Sequence, residues 1–364
     1  MLDVMFMPCL FLLSGVFDTL CTQQLVYQGA SNMRSMFSIF AYYFSQAIVG
    51  FSCIEFGDAG KKKPVLPDIE EAHSLVKDED SRRASEEYEL DIDKAMKQYE
   101  KKLRLLYVVS ALLDIMGYVI RTIGMVYCGS GLFQVAFSSV AIFSAVYSRI
   151  FLKTNVSAIQ WLGIAIVTSG LIVSPLSSNS QGKSPVTGIL LTLLGAQFYS
   201  ISYIVNEAIT RIPGNKGTKE ICKQVGVINT MICCVVILID TIPNRAKLIY
   251  EPIARTHTNL SSVFVATFVY VISHIIHSYA LYSVQGALGA IWTGLLQCIR
   301  ACVVFFTSGY LYCASDPNQC ITWSKIVATI LVTCGIAIFT YGKRQNTAES
   351  AETSDECRVC SQFS

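Results

Sequence analysis

The chain has 364 residues, of which 52% are apolar and only 15% are Asp, Glu, Lys or Arg, against about 25% in an average soluble domain. Residues 57–104 alone carry 24 of its 54 charged side chains, and the net charge is +2. That balance excludes an ordinary soluble globule, a nucleic-acid binder and a mainly disordered chain, and it demands a polytopic membrane protein with one charged loop.

A membrane helix needs about 20 mainly apolar residues. In chain order such segments lie at 4–24, 34–56, 104–126, 131–152, 157–176, 186–209, 225–243, 261–283, 287–311 and 322–341. Spans one and two fill residues 1–56. The charged loop covers 57–103, spans three to five cover 104–176, spans six to ten cover 186–341, and a tail covers 342–364. The first span has no basic leader and carries Asp3, which argues against a cleaved signal peptide. Cys128-Gly129-Ser130-Gly131 reads as the tight turn between spans three and four. With the N-terminus in the cytosol, the cytosolic segments hold 20 Lys or Arg against six on the other side, so both termini are expected there.

The halves repeat weakly. Tyr127 and Gly131 fall on Tyr282 and Gly286, and Val167-Thr168-Ser169-Gly170 falls on Val332-Thr333-Cys334-Gly335. Five is odd, so two five-helix repeats would be inverted, an arrangement typical of secondary transporters with a midplane site. The expected fold is therefore an all-α polytopic membrane protein of ten transmembrane helices in two inverted repeats.

Charges inside hydrocarbon are rare, cost about 2.5–3.5 kcal/mol on insertion scales, and mark function by default. Asp114 and Arg121 share a face of span three, seven residues and so about 10 Å apart. Arg300 sits mid-span in the ninth, His274 and His277 share a face of the eighth, and Asp18 lies in the outer half of the first. The arginines would hold an anionic group or a counter-ion, and Asp114 or a histidine would exchange a proton. The competing expectations are an internal pair of Asp114 or Asp18 with Arg300, an Arg121 that snorkels outward, and histidines that only pack. Gln134, Tyr203 and Gln297 are the uncharged residues expected to line a cavity, and Glu207 and Asp240 read as interfacial.

Outside the spans, Cys313 and Cys320 flank a six-residue loop that suits a disulfide. Cys357 and Cys360 form a lone C-x-x-C, poor as a zinc site. Lys61-Lys62-Lys63-Pro64 opens a solvated, disordered stretch, and about Glu86 to Leu103 is expected to be helical. Arg82-Arg83-Ala84-Ser85 resembles a basophilic kinase site, with Ser85 the acceptor. No cofactor or metal pattern is present, nor an intramembrane protease or acyltransferase motif.

Ala111-Leu112-Leu113-Asp114-Ile115-Met116-Gly117, Gly131-Leu132-Phe133-Gln134, Gln160-Trp161-Leu162-Gly163-Ile164 and Leu296-Gln297-Cys298-Ile299-Arg300 resemble the drug/metabolite transporter superfamily. The likeness is to its solute-carrier-35-like branch, which includes chloroquine-resistance-transporter-like proteins. It implies two halves around a central cavity lined by spans one to four and six to nine, with five and ten outside. It also implies a substrate among nucleotide sugars, amino acids, peptides or drugs, and an endomembrane site. Relatives often carry a basic residue shortly after the Phe-Gln of span four. Here the chain reads Val135-Ala136-Phe137-Ser138, which weakens the nucleotide-sugar expectation. The function expected is alternating-access transport of a small polar metabolite, coupled to protons. The alternatives are a nucleotide-sugar antiporter, or a scaffold or receptor with the same fold.

Overall fold

The computed structural model describes residues 2–53, 79–153, 156–173, 185–212, 217–314 and 320–362. Lys61 to Pro64 lie outside them. Ser85, Cys357 and Cys360 fall within helices, but their side chains are outside what is described.

Helices make up the described chain, and no strand occurs among the described residues. They are α1 (Leu2–Tyr27), α2 (Phe37–Phe51), α3 (Glu79–Phe137), α4 (Val140–Phe151), α5 (Ala158–Val173), α6 (Pro185–Arg211), α7 (Thr218–Val236), α8 (Glu251–Arg255), α9 (Leu260–Tyr312) and α10 (Trp323–Gln362). Five helical stretches are long and apolar enough to cross a membrane, and four shorter apolar ones accompany them. α7 begins seven residues before the expected start of span seven. Its first two turns carry Lys219, Glu220 and Lys223, which conceal the helix from a hydropathy reading. α3 likewise begins at Glu79, ahead of the helix expected from about Glu86.

Two long helices are each broken once. Gly129 interrupts α3 at φ 77°, ψ 164°, and Gly289 interrupts α9 at φ 82°, ψ 177°. This region of backbone space is essentially reserved for glycine, because a Cβ meets the neighbouring carbonyls. The residues that turn the chain are thus Gly129 and Gly289. The alignment of Gly131 with Gly286 picked neighbours of the breaks, not the breaks themselves. After Gly289 the Ala290 amide opens a new helical arm, and it is capped from another helix by Glu207 Oε2 at 2.8 Å. Glu207 also accepts from Arg211, so it is more than an interfacial charge. Gly289→Ala should cost about 1–3 kcal/mol, the strain of that backbone on an L-residue, and should lower the melting temperature of the detergent-purified chain.

The helices pair closely: α3 with α6, α5 with α10, α1 with α9, and α2 with α7. Lipid offers no hydrophobic drive between helices, so backbone approach at small residues holds such pairs. A Cβ on Gly163 would lie 2.7 Å from the Gly335 carbonyl, and one on Gly226 would lie 2.5 Å from the Ala47 nitrogen. Between α7 and α8 the chain forms two π-helical turns, Ile237–Thr241 and Ala246–Tyr250. The α1–α2 loop docks on this region. Arg34 grips Asp240 with two hydrogen bonds of 3.0 and 3.1 Å, and Thr241 donates to the Ser35 carbonyl. Cys313 and Cys320 form a disulfide at the far end of α9, with Cα atoms 4.4 Å apart.

Candidate functional site

Ser14 and Asp18 stand one turn apart on α1, facing His277 and His274 on α9. Helical spacing brings each pair to one side of its helix. Asp18 Oδ1 lies 3.0 Å from His274 Nδ1, and Ser14 Oγ lies 3.2 Å from His277 Nδ1. Arg300, on the second arm of α9, places Nη1 3.2 Å from His277 Nε2. A guanidinium only donates, so Nε2 accepts and His277 is neutral with its hydrogen on Nδ1. That hydrogen goes to Ser14 Oγ, which passes its own to the Leu10 carbonyl at 2.6 Å. His277 is therefore locked in one tautomer.

His274 is not locked. Its Nδ1–H donates to Asp18, and Nε2 meets the Ser278 hydroxyl at 3.0 Å. A hydroxyl can donate or accept, so His274 can gain a second proton without losing a partner. The two histidines, equivalent in the sequence, thus differ in the partners of Nε2, Ser278 for one and Arg300 for the other.

Arg121 does not snorkel outward. Its guanidinium carbon lies 4.5 Å from the Tyr118 ring centre, 5.2 Å from Tyr199, 5.4 Å from Phe137 and 5.7 Å from Phe133. Cation–π attraction gains strength when the cation is shielded from water, so this cage can hold a charge inside the protein. Neither Arg121 nor Arg300 has a carboxylate within 4.0 Å among the described ion pairs. The expected Asp–Arg300 pair is absent there: Asp18 goes to His274, and Asp114 Oδ2 accepts from Tyr43 Oη at 2.8 Å. Tyr43→Phe would leave that buried carboxylate short of a donor. We expect a loss of about 1–3 kcal/mol in stability, to be read from the unfolding of the purified chain. Asp114→Asn in the same background should recover part of it.

These groups enclose a cavity of about 30 Å³. Asp18, Arg121, Tyr203, His277, Gln297 and Arg300 line it. Gln134 stands behind the wall, donating to Thr19 Oγ1 at 3.0 Å, while Gln297 donates to Tyr203 Oη at 3.4 Å. Asp114 and His274 also lie outside the lining: His274 reaches it through Asp18, whereas Asp114 and its partner Tyr43 both stand behind it. The walls come from α1, α2, α3, α6 and α9, and none from α5, α7 or α10. Both arginine Nε atoms and the Oε1 atoms of Gln134 and Gln297 are buried without a hydrogen-bond partner. The two arginines and Gln297 thus present open hydrogen-bonding positions at the cavity wall. The space is narrow, about that of one or two waters. Sequence reasoning missed Tyr42, Tyr43, Tyr118 and Phe133. Their one signal was tyrosine in mid-span, where its hydroxyl needs a partner. No cluster able to hold a metal occurs among the described residues.

Comparison with known proteins follows from this arrangement. Residues 90–174 match the EamA-like transporter family, a stretch ending with α5 that includes Asp114 and Arg121. Solute carrier family 35 member F6 of Mus musculus is 31% identical over 110 residues, 28% of this chain and 30% of that protein. The Rattus norvegicus protein of the same name matches to the same extent. Over this part of its length the chain is similar to EamA-like transporters and to members of solute carrier family 35. With five helical stretches long and apolar enough to cross a bilayer, it is a multi-pass integral membrane protein. An uncharacterized protein of Schizosaccharomyces pombe is 28% identical over 110 residues, 30% of this chain and 34% of that one. The chain thus spans about a third of the length of the curated relatives it matches. A solved structure described only as a crystal structure of protein shares the fold, with a TM-score of 0.55 at 12% identity, over 93% of this chain and 97% of that one.

Proposed function

We propose that the chain is a ten-span secondary transporter that moves a small polar metabolite by alternating access, coupled to protons. One observation carries this reading. Two guanidiniums without carboxylate partners meet in one cavity between helices from both halves of the chain. A scaffold gains nothing from burying such groups, whereas a carrier needs open hydrogen-bonding positions for an acidic group on its substrate.

The pairing of helices supports inverted halves. Splitting α3 and α9 at their glycine breaks, joining the second arm of α3 to α4 and leaving out the five-residue α8 gives ten spans. Span one then packs on eight, two on seven, three on six and five on ten. Exchanging each span with the one five places away maps this set of pairs onto itself, as a two-fold relation requires. The cavity lies where the halves meet, as in inverted-repeat carriers. Proton coupling is assigned to the Asp18–His274 pair. Asp114, held by Tyr43, is a supporting charge. The basic loops support cytosolic termini, and the resemblance favours an endomembrane over the plasma membrane. Cys313 and Cys320 then face the lumen, where a disulfide persists, and Ser85 is a cytosolic phosphorylation candidate.

The test is uptake into liposomes holding the purified chain, screened over amino acids, small peptides, organic acids and nucleotide sugars, with and without a pH gradient. Saturable uptake of one class, raised by the gradient, is the expected result. Its absence for every class would favour the scaffold reading.

A further inference from the structure

A second site lies on the outer, lipid-facing surface, away from the cavity. α2 and α7 approach so closely that a Cβ on Gly50 would lie 2.4 Å from the Lys223 Cα, and one on Gly226 would lie 2.5 Å from the Ala47 nitrogen. This crossing leaves a groove of about 470 Å³ beside it, walled by Phe44, Ile48 and Phe51 of α2 and by Val227 and Met231 of α7. From Phe44 to Phe51 it runs about 10 Å along the helix. The walls are apolar, and Phe51 and Met231 are exposed on its rim at 66% and 62%.

One end of the groove is cationic. Lys219 Nζ reaches the Ser52 carbonyl, across the C-terminus of α2. Lys223 Nζ stands 5.3 Å from the centre of the Phe51 ring, directly at the groove mouth. Among the described residues Glu220 is the carboxylate beside them. It is turned along its own helix, accepting from Gln224 at 2.7 Å and lying 3.5 Å from Lys223 Nζ. Among the described residues the mouth therefore keeps an excess of one positive charge, at the level where α2 ends and α7 begins. In a bilayer this is the level of the headgroups, and lysines at that level attract acidic lipids.

We propose that this groove binds one acidic phospholipid, its acyl chain between α2 and α7 and its phosphate at Lys219 and Lys223. The hydrophobic slot supplies the seat and the two ammonium groups supply the choice of headgroup. The claim does not depend on the transport reading. The proposed orientation adds only that the lipid comes from the cytosolic leaflet, the acidic one. A carrier that rocks about the α2–α7 crossing would then feel the lipid composition around it.

The test is native mass spectrometry of the full chain released from nanodiscs of phosphatidylcholine with 20% phosphatidylserine, a mixture chosen because surface lysines respond to acidic lipid. One lipid should remain bound per chain, with phosphatidylserine preferred about fivefold over phosphatidylcholine and so making up about half of the retained lipid, the scale of one to two screened ion pairs. Lys219→Gln with Lys223→Gln should return retention to the bilayer ratio while a lipid still occupies the slot. Val227→Trp, which fills the slot, should remove the retained lipid altogether. Retention of phosphatidylserine by the lysine variant at the wild-type level would overturn the proposal. So would retention of the two lipids in the bilayer ratio by the wild type. Monodisperse elution of each variant separates these outcomes from misfolding.

Discussion

Arg300→Ala should reduce substrate uptake in proteoliposomes to background while leaving a folded, monodisperse protein. The argument rests on what Arg300 does not touch. It is 5% exposed, its Nη1 donates to a neutral histidine, and its Nε has no partner. A guanidinium that served to hold helices together would be met by a carboxylate, since an unpaired buried charge is strongly destabilising. Here the counter-charge is left for the ligand to bring. A hydrogen bond to a charged group contributes about 1.5–3 kcal/mol, so losing it should weaken substrate binding about 10- to 150-fold. Arg300→Lys keeps the charge but not the forked geometry, so it should fall between the two. Full uptake by the alanine variant would remove Arg300 from the site. A collapse in melting temperature in both variants would show that Arg300 holds the fold instead.

Asp18→Asn should separate binding from coupling. The amide oxygen still accepts from His274 Nδ1, so geometry is kept, but the negative charge that stabilises a doubly protonated His274 is gone. Accumulation driven by a pH gradient should fall by about tenfold or more, equivalent to about 1.4 kcal/mol. Exchange of labelled for unlabelled substrate across equal pH should stay near wild type. His274→Gln should behave the same way. His277→Gln should not, because the ring bonded to Arg300 has no vacant position for a proton. Its effect should be on apparent affinity, through the arginine it orients. Equal loss of exchange and accumulation in Asp18→Asn would mean that Asp18 serves the substrate and not the proton.

Much of this was legible in the amino-acid sequence because membranes punish error. Asp18, Arg121 and Arg300 stand out against apolar surroundings, and all three line the cavity. Period and hydropathy locate helices, yet they do not say which way a side chain turns. Arg121 could equally have faced lipid from its position in α3, and only the rings of Tyr118, Phe133, Phe137 and Tyr199 decide that it does not. Those rings come from separate helices, so no local pattern announces them. The two histidines show the same limit. Their difference lies in Ser278 on one side and Arg300 on the other, and in hydrogens that depend on both. The glycine breaks were partly visible as a Gly-rich turn at 128–131. Which glycine carries the positive φ is fixed by how α3 and α9 each resume their course.

The narrowness of the central cavity bears on permeability as well as on binding. Two guanidiniums against the single carboxylate of Asp18 leave the lining of about 30 Å³ of space with one excess positive charge. Fixed positive charge at a constriction repels hydronium and metal cations, the device by which some water channels exclude protons. An empty carrier of this kind can sit in a membrane that holds a proton gradient without discharging it. Its resting conductance would then be set by the same two side chains that receive the substrate.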